Sequence, residues 1–254
     1  MTVQCDVTPR LAATTILVRA RGDQPEILLL KRGEHARFMP NAYVFAGGAL
    51  DLNDESADVY ALCNGLDDGR ASEQLELASN GLRFFVAAVR EAFEECGLLL
   101  AYDDRGEIAD LSSWDESRLR ETRLKISTGR LTLAELCRVQ GWRLAVDKLA
   151  FFSHWITPPG SVRFDTRFFL CSAPTRQTAS LAGNEMSQLL WRTASEALAE
   201  HASKELLLMY PTRAILKEIA AMRGVEELFD FARKPRKIAP ITPVLPKGVR
   251  ADGG

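Results

Sequence analysis

Apolar residues fall in short clusters along the first fifty positions, separated by polar, turn-prone ones. Segments 11–18 and 26–30 are rich in Ile, Leu and Val, with Arg21-Gly22-Asp23 between them, so together they predict a β-hairpin. A third short strand is expected at 43–45, stopped by Gly47-Gly48. From 52 to 82 the pattern dissolves into acids, the turns Asn64-Gly65 and Asp67-Asp68-Gly69, and a weakly helical stretch at 73–79. That reads as an inserted surface segment. Segment 82–96 has the strongest helical period, with Phe85, Ala88, Val89, Ala92 and Phe93 along one side. Gly97, which readily takes the left-handed conformation, marks its end.

Further along, helices are expected near 116–125 and 131–139, and strands at 149–156 and 162–171 about the turn Pro158-Pro159-Gly160. A short strand at 188–192 and helices at 194–202 and 212–222 complete the pattern, with Pro211 placed where a helix can begin. Strands interspersed with helices and no repeat period give an α/β or α+β class. The expected organisation is one domain over 10–222, with insertions at 52–82 and 103–145. Over 231–254 basic residues (Arg233, Lys234, Arg236, Lys237, Lys247, Arg250) alternate with Pro235, Pro240, Pro243 and Pro246, which predicts a flexible tail.

Composition narrows the function classes. An apolar fraction of 46% supports a sizeable core, and a net charge of −2 gives no global attraction to nucleic acid or to a membrane. The cysteines at 5, 63, 96, 137 and 171 are scattered and never form a C-x-x-C pair, against both a disulfide framework and a zinc site. No apolar run approaches the ~20 residues of a membrane span, and the start MTVQCDVTPR lacks the features of a secretory signal. The expected location is the cytoplasm and the expected partner a small molecule. Monomer and homodimer both stay open.

The chemistry lies in the 82–96 helix. Glu91, Glu94 and Glu95 are related by three and four residues, so their carboxylates share one face, opposite the apolar stripe. Like charges at that spacing destabilise a helix, and Arg90, four residues before Glu94, offsets only part of the repulsion. Acid runs on helices commonly serve as solvated faces, but a cluster of hard oxygen donors on a rigid element also suits Mg²⁺ shared with substrate phosphates.

The order of residues decides between these readings. Arg90-Glu91-Ala92-Phe93-Glu94-Glu95-Cys96-Gly97-Leu98 resembles the second half of the Nudix box, G-x5-E-x7-R-E-U-x-E-E-x-G-U with U aliphatic. Gly47-Gly48 resembles its opening, and Asp54 stands where the family has Glu. Arg90 comes 28 residues later than the contiguous motif would place it. Such an insertion resembles the branch of peroxisomal-type coenzyme A diphosphatases. So do His35-Ala36-Arg37-Phe38-Met39-Pro40, Trp155-Ile156-Thr157-Pro158 and Arg163-Phe164-Asp165-Thr166-Arg167-Phe168-Phe169. A coenzyme A pattern of that family, R-x3-G-x3-F-P-G-G, is met by Arg37, Phe45, Gly47 and Gly48, with Asn41 and Ala46 replacing the first Gly and the Pro.

The resemblance implies an α/β/α sandwich with a mixed sheet and Mg²⁺- or Mn²⁺-dependent hydrolysis of a diphosphate bond. Coenzyme A or acyl-coenzyme A leads as substrate, with NADH, ADP-ribose and other nucleotide diphosphates behind. It implies Glu91, Glu94 and Glu95 as metal ligands, Arg90 beside them in catalysis, and Arg37, Gly47 and Gly48 at the substrate. Glu91, Asp165 and Glu185 are the candidate general bases. Two rival readings are a ligand-sensing domain, which would usually lack a box glutamate, and an isoprenoid diphosphate isomerase, which would need a reactive cysteine such as Cys96. His154, beside Ser153 in an apolar run, reads as structural.

Overall fold

A computed structural model describes residues 7–36, 39–160, 162–183 and 185–244. The expected hairpin forms from β1 (Arg10–Arg21) and β2 (Gln24–Arg32). They centre an eight-stranded mixed sheet with β3 (Ala42–Val44), β4 (Ala46–Ala49), β7 (Ala150–Ile156), β8 (Phe164–Ser172), β9 (Met186–Thr193) and β10 (Leu207–Leu208). The main path runs β10-β3-β2-β1-β8-β7, with β4 on β1 and β9 on β2. β1 and β8 are parallel, as are β10 and β3; the other pairs are antiparallel.

The alternation of strand side chains separates two cores. On one face Ala13 and Phe169 pack with Phe84, Phe85, Val89 and Phe93 of α3 (Leu82–Cys96). On the other, Ile16, Val18 and Leu29 meet Ala197 of α6 (Ala194–Ala202), Ile215 and Ile219 of α7 (Tyr210–Ala220), and Leu228 of α8 (Val225–Arg233). The layers are α/β/α. A satellite unit joins a small ribbon, β5 (Ala101–Tyr102) with β6 (Arg143–Leu144), to α4 (Glu116–Ser127) and α5 (Leu133–Gln140).

Three expectations are corrected. The glycines do not stop a strand: β4 runs through Gly47 and Gly48, paired with Thr14 and Ala13 of β1. A Cβ on Gly47 would lie 2.6 Å from the Ala13 carbonyl oxygen, so glycine is needed for the close approach of backbones. Second, the basic segment is docked at its start. Leu228, Phe229 and Ala232 bury one side of α8, Arg236 donates to the Phe152 carbonyl (2.8 Å), and Ile241 exchanges backbone hydrogen bonds with His154 and Ile156. The packed body therefore passes 222; residues 245–254 lie outside the described residues.

Third, the segment inside the box is not a surface appendage. It forms α1 (Ala57–Tyr60) and α2 (Asp68–Gln74), and sends Val59, Cys63, Leu66, Ala71 and Leu75 into the core beneath α3. It also caps α3, whose N-terminal amides have no cap from Gly81: Asp68 accepts from Asn80 and Leu82, and Ser72 accepts from the Gly81 amide. Replacing residues 55–79 with a short linker is accordingly expected to remove the cooperative unfolding transition. A variant melting within a few degrees of the parent would show the segment to be dispensable.

Candidate active site

α3 owes its position to its apolar stripe, which leaves Glu91, Glu94 and Glu95 toward the end of β4. Arg90 ties the cluster together. Its Nη1 donates to Glu91 Oε1 (2.9 Å) and Glu94 Oε1 (3.2 Å), and its Nη2 to the Ala49 carbonyl (2.9 Å). The remaining edge of the guanidinium meets Asp54 in a two-pronged contact, Nε to Oδ1 at 2.8 Å and Nη2 to Oδ2 at 2.9 Å. Asp54 is 1% exposed and comes from a 3₁₀ turn (Leu52–Glu55) that begins the inserted segment. The aspartate at the family's Glu position thus reaches Arg90 across 36 residues of sequence.

Glu95 points the other way. Its Oε2 accepts from the Gly47 amide at 2.8 Å. A Cβ on Gly48 would fall 2.5 Å from Glu91 Oε1, so strand and carboxylate are in contact only because Gly48 has no side chain. Glu91 and Glu95 are buried, contrary to the solvated face that spacing alone suggests. Burial pushes Glu91 up to about 7, with Arg90 opposing and Glu94 and Asp54 adding to the rise. Glu94 is also raised, chiefly by burial. Glu95 goes well above the usual carboxylate range, through burial and the charge of Glu91, against the Gly47 hydrogen bond. For Arg90, burial alone would lower the pKa; Asp54 and the charges of Glu91 and Glu94 reverse this. Three carboxylates, Asp54, Glu91 and Glu94, share one guanidinium, with Glu95 beside them on the Gly47 amide, so this crowding and burial favour the protonated form of Glu91 and Glu95.

Among the described residues no three His, Cys, Asp or Glu side chains form a ready-made metal cage. The rotamers explain this: Glu91 and Glu94 turn to Arg90, and Glu95 to Gly47. The donor chemistry nonetheless fits a hard divalent cation, since every available donor is a carboxylate oxygen and three of these carboxylates share a single arginine.

The other candidates divide clearly. Asp165 is engaged by His154 Nε2 (2.6 Å) and Arg167 Nη1 (2.7 Å), a pairing that gives the buried His154 a structural partner. Glu185 is exposed, and its charge contributes to the rise of Glu95. It helps line a cleft of about 730 Å³ with Lys31, Arg32, His35, Asn41 and Met186. Arg37 lies outside the described residues. Cys96 is fully buried, its Sγ donating to the Ala92 carbonyl and its thiol pushed up to about 12 by burial, so it cannot face a substrate as an isomerase would need. Sequence reasoning missed Arg123 of α4, which reaches the carbonyl of Glu94.

The comparisons agree with this architecture. The chain is 27% identical over 237 residues to the acyl-coenzyme A diphosphatase NUDT19 of Xenopus laevis, covering 81% of this chain and 62% of that protein. It is 30% identical over 247 residues to the acyl-coenzyme A diphosphatase NUDT19 of Homo sapiens, covering 81% and 63%. It therefore spans less than two thirds of the length of these curated relatives. The crystal structure of a NUDIX hydrolase from Alicyclobacillus acidocaldarius superposes with a TM-score of 0.70 at 29% identity, covering 87% of this chain and 95% of that one. The family model of the NUDT19 Nudix domain matches residues 67–214, more than half of the chain and inclusive of all of α3. With the box carboxylates, their arginine and the sandwich in place, the chain belongs to the NUDT19 Nudix domain family.

Proposed function

We propose that the chain is a divalent-metal-dependent pyrophosphohydrolase that cleaves coenzyme A or acyl-coenzyme A to 3′,5′-ADP and (acyl-)phosphopantetheine. The observation that carries this reading is the cluster of Asp54, Glu91 and Glu94 around one arginine, with Glu95 on the Gly47 amide beside them, at a strand end kept open by Gly47 and Gly48. The names of the relatives support the substrate class. Glu91, Glu94 and Glu95 would hold Mg²⁺ or Mn²⁺, which when bound neutralises diphosphate charge and acidifies water. Arg90 orients Glu91 and Glu94. Glu185, at the rim of the cleft, is better placed than Asp165 to take a proton from water, because Asp165 is committed to His154 and Arg167. The described residues contain no helix long and apolar enough to cross a membrane, and the cysteines resolved among them are all buried and free. The free cysteines support a reducing compartment such as the cytoplasm.

Protons and metal should compete. A carboxylate raised on folding binds more protons folded than unfolded, so it favours the folded state below the ordinary carboxylate pKa. That contribution is lost as pH rises through the folded value, here about 7 for Glu91. Metal binding needs the deprotonated form. The metal-free protein is expected to melt at lower temperature at pH 8 than at pH 6, and the gain in Tm on adding Mg²⁺ to be larger at pH 8. A gain independent of pH would place the metal elsewhere.

Substrate is settled by incubating the protein and Mg²⁺ or Mn²⁺ with coenzyme A, dephospho-coenzyme A, NADH and ADP-ribose, with products identified by mass. Coenzyme A differs from the others by its 3′-phosphate, which Arg37 is proposed to read. A charge-assisted contact is worth about 1.5–3 kcal/mol, so Arg37→Ala should lower kcat/KM for coenzyme A by roughly ten- to a hundredfold and spare dephospho-coenzyme A. Equal losses would remove Arg37 from the phosphate. A wild-type preference for NADH or ADP-ribose would install those compounds as the substrate class.

A further inference from the structure

Among the described residues Arg123 has the largest of the fully buried side chains, 2% exposed, yet the groups it hydrogen-bonds are a backbone carbonyl and a hydroxyl rather than a carboxylate. Its Nε (3.1 Å) and Nη2 (2.9 Å) both donate to the carbonyl oxygen of Glu94, and its Nη1 donates to Ser180 Oγ (3.2 Å). The Ser180 amide in turn donates to the carbonyl of Cys96 (2.9 Å). The last turn of a helix leaves its carbonyls without partners and carries partial negative charge. At the end of α3 these carbonyls are satisfied by two segments from elsewhere in the chain: α4 of the satellite unit and the loop between β8 and β9. Gly97 makes this arrangement feasible. It takes φ +73°, and a Cβ there would stand 3.2 Å from both Arg123 Nη1 and Ser180 Oγ. The box glycine thus terminates the helix and leaves space for the arginine.

We infer that Arg123 is a positioning residue for the carboxylate site, fixing the final turn of α3 so that Glu94 and Glu95 keep their placement relative to Glu91. This rests on the metal-site reading given above. Arg90 holds the side chains of Glu91, one turn earlier, and of Glu94, while the backbone of the turn that carries Glu94 and Glu95 is gripped by Arg123. A small tilt of that turn would separate the carboxylates without unfolding the helix. Burying a guanidinium whose hydrogen bonds reach no carboxylate is costly even with the charges of Glu94 and Glu95 nearby, and an apolar side chain of similar length would fill the same volume more cheaply. Packing alone therefore does not account for an arginine here. The helical unit at 103–145 acquires a role through it, because α4 braces the catalytic helix from behind.

The test compares wild type with Arg123→Met, Arg123→Lys and Ser180→Ala. Thermal unfolding, Mn²⁺ binding followed by electron paramagnetic resonance without substrate, and kcat and KM for a cleaved diphosphate at saturating metal are measured. Arg123→Met is expected to fold, to bind Mn²⁺ roughly tenfold more weakly and to lose kcat with little change in KM, as when groups that orient metal ligands are removed. Arg123→Lys should recover part of the Mn²⁺ affinity, since an ammonium can reach the Glu94 carbonyl but cannot also span to Ser180. Ser180→Ala, which keeps the arginine, should show a smaller loss of the same kind. A folded Arg123→Met with wild-type Mn²⁺ affinity and kcat would overturn the inference. If the Met variant does not fold, unchanged Mn²⁺ affinity in both the Lys and Ala variants overturns it. A wild type that binds no Mn²⁺ defeats the site reading and this inference with it; wild-type binding with indifferent variants defeats this inference alone.

Discussion

Glu94→Gln and Glu95→Gln are each expected to fold as the parent does and to lose turnover by a factor on the order of a hundred to a thousand, the scale on which preorganised electrostatic groups act. The two substitutions test different contacts. Glu94 is bound to Arg90, so its amide loses charge and part of an ion pair. Glu95 accepts from the Gly47 amide, which a glutamine oxygen can still supply, so little but charge is removed. Because burial already raises both carboxylates, neutralising either should not reduce the stability of the metal-free protein. Circular dichroism melts and kcat/KM at saturating Mg²⁺ decide the matter. Turnover within about tenfold of wild type for both variants would remove these residues from the chemistry.

Asp54→Ala should be the most destabilising single substitution near the site. Removing one partner of a buried ion pair typically costs about 3–5 kcal/mol when the remaining charge is left uncompensated, and because Arg90 keeps Glu91 and Glu94 the loss is expected at the lower end of that range. Here Asp54 is 1% exposed, holds Arg90 with both oxygens and also accepts from the Asp51 amide (2.7 Å), closing the 3₁₀ turn. Arg90 would be left to Glu91 and Glu94, drawing both away from any metal. Asp54→Glu, the residue the family pattern has there, should retain much of the stability if the turn can shift to fit the longer side chain. Urea unfolding of the three proteins at pH 7 measures the effect; a loss below about 1 kcal/mol in Asp54→Ala would mean the pair is not structural.

What could be read from the sequence depended on whether the signal was local. The 82–96 helix was legible to the residue because one element carries its stripe, its acids and its terminating Gly97. The hairpin and α6 were legible for the same reason. The inserted segment was misread because Val59, Cys63, Leu66, Ala71 and Leu75 are dispersed among acids and turns; their burial depends on the underside of α3, which no window of sequence contains. Gly47 and Gly48 read as the stop of a strand because glycine signals strand ends as well as close backbone approach, and only the proximity of β1 distinguishes them. Proline and charge masked the docking of Arg236 and Ile241. In the site, Asp54 was visible as a departure from the family pattern, but its closure on Arg90 across the insertion was not. Arg123 gave no signal, since a basic residue on a polar helix looks like any solvated one.

The central claim is that Glu91, Glu94 and Glu95 form a divalent-cation site. Titrating the wild-type protein and Glu95→Gln with Mn²⁺, and following free Mn²⁺ by electron paramagnetic resonance, tests it without relying on any substrate. Saturable binding to the wild type, reversed by excess Mg²⁺ and weakened at least roughly tenfold in the variant, is the predicted result. Identical titration curves for the two proteins, or no depletion of free Mn²⁺ by either at millimolar concentrations, would contradict it.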